Sequence, residues 1–360
     1  MAAKKWYGFL VIAGIVCALL LSSGCTNNTA QTATRTDILA SAAHGSTAAG
    51  NCTPVTINQT DGTAATLPCR PERLIVANAN AAEMVIALGA ADKIVGATDS
   101  TLSVPYIRDK IPNATSIGNW QTPNVEEILA LHPDAVIAYS SYKPKNLDKI
   151  TAANVTVISL DCYKLGTLAS DARALGTLIG TSPTAEDYAK MVEQSVNTVT
   201  ARVAALNASE KPEVYFESYT DFTAAGKGSG SDEMLTLAGG KNCVGDPDAS
   251  SMKVSAEWVV ARQPQYVMKV VSSSNTVPLA DIVANLTART GWNTIPAVRD
   301  NRVYAFANDV EYGPRAYIGL VYTAQILHPD TFRDLHPREM LDDYAGRYVS
   351  GTNISTVVYP

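Results

Sequence analysis

The twelve residues Val125-Glu126-Glu127-Ile128-Leu129-Ala130-Leu131-His132-Pro133-Asp134-Ala135-Val136 recur without a gap as Ala256-Glu257-Trp258-Val259-Val260-Ala261-Arg262-Gln263-Pro264-Gln265-Tyr266-Val267, each position displaced by 131. In both copies a short apolar-periodic stretch runs into a proline, and an apolar run opens behind it. Proline lacks the backbone donor a helix needs, so each copy reads as helix, turn, strand. Glu126 falls on Glu257, Ala130 on Ala261 and Pro133 on Pro264. A weaker echo sets Glu83-Met84 and Leu88-Gly89 against Glu233-Met234 and Ala238-Gly239. A repeated helix-strand unit predicts two similar lobes.

Outward from the first copy, short apolar runs alternate with helical patterns, the signature of an α/β fold with largely parallel sheets. Strands are expected over 74–77, 94–97, 135–139 and 155–160, and helices over 81–88 (closed by Gly89), 125–131, 147–153 and 165–179. The texture then changes. From Pro183, the residues Tyr188, Val192, Val196, Val199, Val203 and Leu206 recur at spacings of three and four, one apolar stripe of a helix lasting to about Asn207. At 1.5 Å per residue such a helix is a rod of roughly 37 Å, longer than a crossover within one small domain needs. A strand over 214–217 resumes the alternation. The expected architecture is two Rossmann-like lobes, residues 70–180 and 211–327, joined by one long helix over 181–210, with a ligand cleft between them and a C-terminal tail over 328–360.

The chain has 360 residues, 28 Lys+Arg against 34 Asp+Glu, a net charge of −6, and 46% hydrophobic residues. This composition builds a large core and excludes disorder over most of the length. It also argues against a nucleic-acid partner, because phosphate binding needs clustered Lys and Arg. At the N-terminus, Lys4 and Lys5 precede an uncharged apolar run from Trp6 to Leu21 and then Ser22-Ser23-Gly24-Cys25. The run is shorter than the roughly 20 residues that cross a bilayer and ends in small residues, so 1–24 reads as a signal peptide. Leu-Ser-Ser-Gly-Cys resembles a lipoprotein lipobox, with Ser22 where an apolar residue is usual, and predicts lipidation of Cys25. Residues 25–50, rich in Thr, Ala, Asn and Ser, read as a tether spanning roughly 25–30 Å. The protein is thus expected to be extracytoplasmic, anchored to the outer face of the cytoplasmic membrane.

Of six cysteines, Cys17 and Cys25 belong to the leader, leaving Cys52, Cys69, Cys162 and Cys243 without metal-binding spacing. Cys52 and Cys69 bracket alternating apolar residues around Asp61-Gly62, a β-hairpin over 51–69. Cysteines at its open ends face each other, and export permits a disulfide. Cys162 and Cys243 read as small buried residues, although a bond between them stays open.

Several motifs, in order, resemble the iron-chelate and vitamin B12 class of substrate-binding proteins of ABC importers. They are Arg73-Leu74-Ile75-Val76, Ala82-Glu83-Met84 through Leu88-Gly89-Ala90, Gly118-Asn119-Trp120 before Pro123-Asn124-Val125-Glu126, and Leu131-His132-Pro133-Asp134. In the second half they are Gly226-Lys227-Gly228-Ser229, Leu237-Ala238-Gly239-Gly240, Val254-Ser255-Ala256-Glu257, Ile295-Pro296-Ala297-Val298 and Gly313-Pro314-Arg315. The resemblance runs from about Cys52 to the C-terminus. It implies a rigid, monomeric two-lobed protein with no enzymatic activity, whose partners are an ABC permease dimer with its cytoplasmic ATPase. It also implies one exposed Glu per lobe docking onto the permease, which maps to Glu126 and Glu257.

In open α/β sheets ligands bind beyond the carboxyl ends of strands. That rule selects Asn78 and Asn80, Asp99, Trp120, 140–143, Tyr163, 219–227, 272–275 and 309–315. The candidate ligand contacts are Trp120, Asn80, Tyr139, Tyr142, Tyr163, Tyr219, Lys227, Tyr312 and Arg315, with Trp120 and Arg315 raised among them by the family resemblance. Aromatic rings offer apolar area with a polar tip, which suits a large flat ligand. His132 and His328 lie in Leu-His-Pro-Asp turns and none of the four histidines ends a strand. A zinc site and histidine-ligated haem are therefore disfavoured, while tyrosine-ligated haem stays open. The expected ligand is a ready-made ferric chelate of siderophore type or a corrinoid, with no resident cofactor. No GxSxG, HExxH or P-loop spacing occurs. A surface hydrolase is the weakest alternative, and a sensor or scavenger without a transporter is another.

Overall fold

A computed structural model describes residues 52–245, 249–272, 275–349 and 357–360. The signal segment, Cys25 and the tether lie outside the described residues. Among those described, the first half is built on a five-stranded parallel sheet in the spatial order Thr115–Ser116, Ile94–Ala97, Leu74–Val76, Ala135–Ala138, Thr156–Ser159. Leu74–Val76 and Ala135–Ala138 are buried at every position. Helices cover both faces of a parallel sheet, so its central strands read as unbroken apolar runs. The first helix, Ala79–Ala87, starts where Asn78 Oδ1 accepts the Ala81 amide at 2.6 Å, and gives way to Gly89 at φ 83°.

The second half has a mixed sheet. Glu213–Glu217, Tyr266–Val271 and Val303–Ala307 run parallel at its centre. Thr223–Ala225, Ser251–Lys253 and Val358–Tyr359 add antiparallel edges, and Lys241–Asn242 pairs parallel to Glu213–Glu217. The antiparallel edge departs from the largely parallel expectation because Thr223–Ala225 returns through a tight turn, with Phe222 at φ 56°, instead of through a crossover helix.

The sequence repeat is a structural one. Leu74 pairs with Ala135 as Val214 pairs with Tyr266. His132 and Gln263, 131 apart, hold φ values of 46° and 47° between helix and proline. Ile128 and Val259 are the buried anchors of the two short helices. The helix Ser182–Ala204 links the halves and buries Ala185, Tyr188, Ala189, Val192, Val199 and Val203 along one stripe. It packs against Leu165–Ile179 so closely that a Cβ on Gly176 would lie 2.2 Å from the Ala185 methyl.

The inner faces of both sheets share one apolar core, which runs from Leu74, Met84 and Leu175 through Tyr188 to Phe216, Phe306 and Tyr344. Smaller clusters lie under the outer faces. Two equivalent glutamates cross between the halves. Glu83, on the first helix, meets Arg315 of the second half, while its repeat counterpart Glu233 accepts the Leu165 and Gly166 amides at 3.2 and 2.9 Å. The segment expected as a tail is folded back: Pro337–Tyr348 is a helix, and its Tyr344 hydroxyl donates to Glu83 Oε1 at 2.8 Å.

Cys52 and Cys69 form a disulfide across the open end of the hairpin Val55–Asn58 and Ala64–Leu67. Its turn is pinned to the first lobe, with Thr60 Oγ1 donating to Asp171 Oδ1 at 2.8 Å and accepting the Asp161 amide at 2.9 Å. Cys162 and Cys243 are buried free thiols.

Candidate ligand-binding cleft

A cleft of about 430 Å³ opens where the carboxyl ends of strands from both sheets converge. Leu74–Val76 leads into Asn78 and Asn80, Ala135–Ala138 into Tyr139 and Tyr142, and Thr156–Ser159 into Tyr163 and Lys164. From the second half, Glu213–Glu217 leads to Tyr219, Thr223–Ala225 to Gly228, Ser229 and Gly230, and Val303–Ala307 to Asn308 and Tyr312. Trp120 comes from the short hairpin of Gly118–Asn119 and Thr122–Pro123.

The rings form a chain. Trp120 meets Tyr139 edge-on with centroids 5.7 Å apart, Tyr139 meets Tyr163 at 6.1 Å, and Tyr163 meets Tyr312 at 5.9 Å. Tyr219 tilts against Tyr312 at 6.4 Å. Edge-to-face contacts suit the ring quadrupoles, so the five aromatics hold one another as a wall that passes from one lobe to the other. Tyr142 stands apart with 55% of its surface exposed.

Polar groups behind the wall set its shape. Buried Asp161 accepts the Ser140 and Ser141 amides at 2.8 and 2.9 Å, which fixes the loop carrying Tyr139 and Tyr142. Lys164 Nζ lies 5.6 Å from the Tyr163 ring centroid and donates to Ser141 Oγ at 3.0 Å, adding a cation at the cleft. Beneath the Tyr219 loop, buried Glu217 accepts Lys269 Nζ at 2.8 Å and Arg289 Nη1 at 2.7 Å. Burial pushes the hydroxyls of Tyr139, Tyr163 and Tyr312 well above the usual phenol range, so they act as neutral hydrogen-bonding groups. Among the described residues no group of three or more His, Cys, Asp or Glu side chains could hold a metal ion.

Of the residues singled out in the sequence, Trp120, Asn80, Tyr139, Tyr142, Tyr163, Tyr219 and Tyr312 line this cleft. Lys227 does not; its side chain is exposed one position before the lining segment 228–230. Arg315 is the clear departure. It is 2% exposed and lies beneath the cleft, with Nε 2.8 Å from Glu83 Oε1, Nη2 3.0 Å from Glu83 Oε2 and 3.2 Å from Asp309 Oδ1. A guanidinium buried with two carboxylates is a structural ion pair and is not available to a ligand. Lys164, Ser100 and Asn308 also line the cleft, each next to a position that the strand-end rule selects, and so do Gly228 and Ser229 of the Gly226-Lys227-Gly228-Ser229 motif together with Gly230.

Glu126 and Glu257 are exposed, each in the first turn of its helix, away from the cleft lining. Asn124 caps the first helix by accepting the Glu126 amide at 3.0 Å, and Ser255 caps the second by accepting the Trp258 amide at 3.2 Å. The Ser255 hydroxyl holds the Glu257 carboxyl below its ordinary range.

The sequence matches the family described as periplasmic binding protein over residues 74–310. It is 26% identical over 289 residues to an uncharacterized ABC transporter substrate-binding lipoprotein of Bacillus subtilis (strain 168), covering 78% of this chain and 88% of that protein. It is 31% identical over 205 residues to the vitamin B12-binding protein of Yersinia pestis (strain Pestoides F), covering 56% of this chain and 71% of that protein. The fold superposes on a TroA-like periplasmic binding protein of Veillonella parvula with a TM-score of 0.73 at 20% identity, covering 85% of this chain and 99% of that one. The chain belongs to the periplasmic binding protein family, in its iron-chelate and vitamin B12 class, and is a substrate-binding protein of an ABC transporter.

Proposed function

We propose that the protein captures a preassembled metal chelate, a ferric siderophore-type complex or a corrinoid, and delivers it to an ABC permease dimer with its ATPase. The observation that carries this reading is the aromatic wall from Trp120 through Tyr139 and Tyr163 to Tyr312 and Tyr219. Rings, amides, hydroxyls and the Lys164 ammonium grip the periphery of a complex. A bare cation needs convergent carboxylates, thiolates or imidazoles instead. Iron ligation by Tyr139, Tyr163 or Tyr312 would require phenolates that burial opposes, which favours an intact chelate over tyrosine-ligated haem. Glu126 and Glu257 are the docking carboxylates in this reading: they are repeat-equivalent, exposed and outside the cleft. Cys25 carries the lipid anchor that holds the protein at the outer face of the cytoplasmic membrane.

Titration of the purified protein with a ferric tris-catecholate, a ferric hydroxamate, cyanocobalamin, haem and zinc tests this. One chelate or corrinoid should bind far more tightly than zinc, and Trp120→Ala should weaken it by roughly ten-fold through lost ring contact and apolar burial. Preference for zinc over every complex, or unchanged affinity in both Trp120→Ala and Tyr139→Ala, would refute it. A haem preference with a visible spectrum altered by Tyr142→Phe would establish the haem alternative.

A further inference from the structure

Behind the aromatic wall stands a carboxyl that the ligand cannot touch. Glu311 is 1% exposed, its Oε1 is hydrogen-bonded to Ser231 Oγ, and Ser231 Oγ lies 2.8 Å from the Tyr312 hydroxyl. Glu311 Oε2 is buried without a hydrogen-bond partner. The Tyr312 ring cannot yield, because a Cβ on Gly230 would already lie 2.5 Å from its Cε1 and Tyr163 and Tyr219 flank it. What remains free to change is the direction of the hydroxyl protons along the chain of Glu311, Ser231 and Tyr312.

We propose that Glu311 is a positioning residue that sets the polarity of the Tyr312 hydroxyl, making it a donor toward the ligand when the carboxyl is protonated and an acceptor when it is ionised. This rests on the reading of the cleft as the ligand site. A protonated carboxyl places its hydrogen on Oε1, because Oε2 faces no acceptor, and donates it to Ser231. Ser231 then donates to the Tyr312 oxygen, and the phenol proton is left for the cleft. When the carboxyl loses its proton to solvent, Ser231 turns to donate to Oε1. Tyr312 then donates to Ser231 and presents only a lone pair to the ligand. Burial pushes the Glu311 carboxyl up to about 8, so both forms are reached near neutral pH. An anionic chelate with acceptor oxygens prefers the protonated form.

The titratable groups facing Glu311 are Tyr312 beside it and Tyr219 along the wall, whose own hydroxyl donates to Asn308. Charged groups on the elements packed around it are engaged elsewhere. Lys269 pairs with Glu217 and Asp221, Arg315 with Glu83 and Asp309, Asp232 with the Gly228 amide and Asn242, and Glu233 with the amides of Leu165 and Gly166. Tyr304 stacks on Tyr266, and Tyr317 meets Tyr188 edge-on.

The test is the pH profile of the full chain binding a ferric tris-catecholate between about pH 7 and pH 9.5. Wild type should weaken by roughly five- to ten-fold, the worth of one reversed hydrogen bond to a charged group, with a midpoint near 8. Glu311→Gln and Ser231→Ala should each lose that step while binding at the lower pH. A flat wild-type profile, or the same step in both variants, overturns the proposal. If no chelate binds at any pH, the cleft reading fails and infrared titration of the ligand-free protein decides the relay separately. Loss of the protonated carboxyl band must then coincide with a shift of a tyrosine C–OH mode, both absent in Glu311→Gln. A carboxyl that titrates with no tyrosine response overturns the proposal.

Discussion

Glu83 and Arg315 offer the sharpest test of how the two lobes are held. Glu83 is 4% exposed and Arg315 2%, and they meet through two hydrogen bonds of 2.8 and 3.0 Å. The Tyr106 hydroxyl donates to Glu83 Oε2 at 2.5 Å and accepts from Arg315 Nη2 at 2.6 Å, and Tyr344 closes the set from the C-terminal helix. Removing one partner of a buried pair leaves the other charge desolvated and uncompensated, a loss of about 3–5 kcal/mol. Glu83→Met and Arg315→Met should each lose about that much in urea unfolding. Their combination should be no less stable than the worse single variant, since neither member of the buried pair is left alone, although the partly exposed Asp309 loses Arg315 as a partner and Tyr344 loses its Glu83 acceptor at about 1 kcal/mol. The coupling between the two sites should thus exceed about 2 kcal/mol. Additive losses, or a single variant less than about 1 kcal/mol below wild type, would show that Glu83 and Arg315 are not a coupled buried pair. Because Arg315 lies beneath the cleft, Arg315→Met that still folds should bind ligand within about two-fold of wild type.

Other outcomes follow from the same geometry. Glu126→Ala with Glu257→Ala should leave ligand affinity nearly unchanged and reduce uptake in cells carrying the cognate permease; equal losses in both assays would remove the docking assignment. Replacing Cys52 and Cys69 by Ser should lower stability by about 3 kcal/mol, given their separation of 17 residues, measured as a drop in urea midpoint. For Glu311, a folded-state pKa of about 8 against 4.5 means the native state binds the extra proton, so stability is full below about pH 4.5 and is lost as pH rises to about 8. At about 1.4 kcal/mol per unit this approaches 5 kcal/mol, and Glu311→Gln should gain on wild type from about pH 5 to about pH 8 and level off above that in urea melts.

Local spacing carried most of the fold. The helix expected over 165–179 is Leu165–Ile179, and the long stripe from Pro183 is the helix Ser182–Ala204. Periodicity is legible because a helix or strand is set by side chains a few positions apart. The same holds for the hairpin disulfide, whose cysteines face each other across a ladder of four pairs. The strand-end rule reaches Asn80, Tyr163 and Tyr312 of the cleft lining, while Tyr139 is the last residue of the expected strand 135–139 itself.

Arg315 shows where that reach stops. Its loop does follow a strand, and an arginine there looks available to an anion. Only the folded chain brings Glu83, 232 residues earlier, against its guanidinium. The same is true of Glu311, whose carboxyl is raised by the packing around it and not by its neighbours in sequence. Local spacing in the amino-acid sequence carried the central strands, the long linking helix and the repeat, because those depend on backbone preference and apolar period, while the antiparallel edge and the helix Pro337–Tyr348 were not legible in it. Which charges are buried, and against what, was decided by tertiary structure alone, because desolvation and pairing depend on groups that become neighbours only when the lobes close on one core.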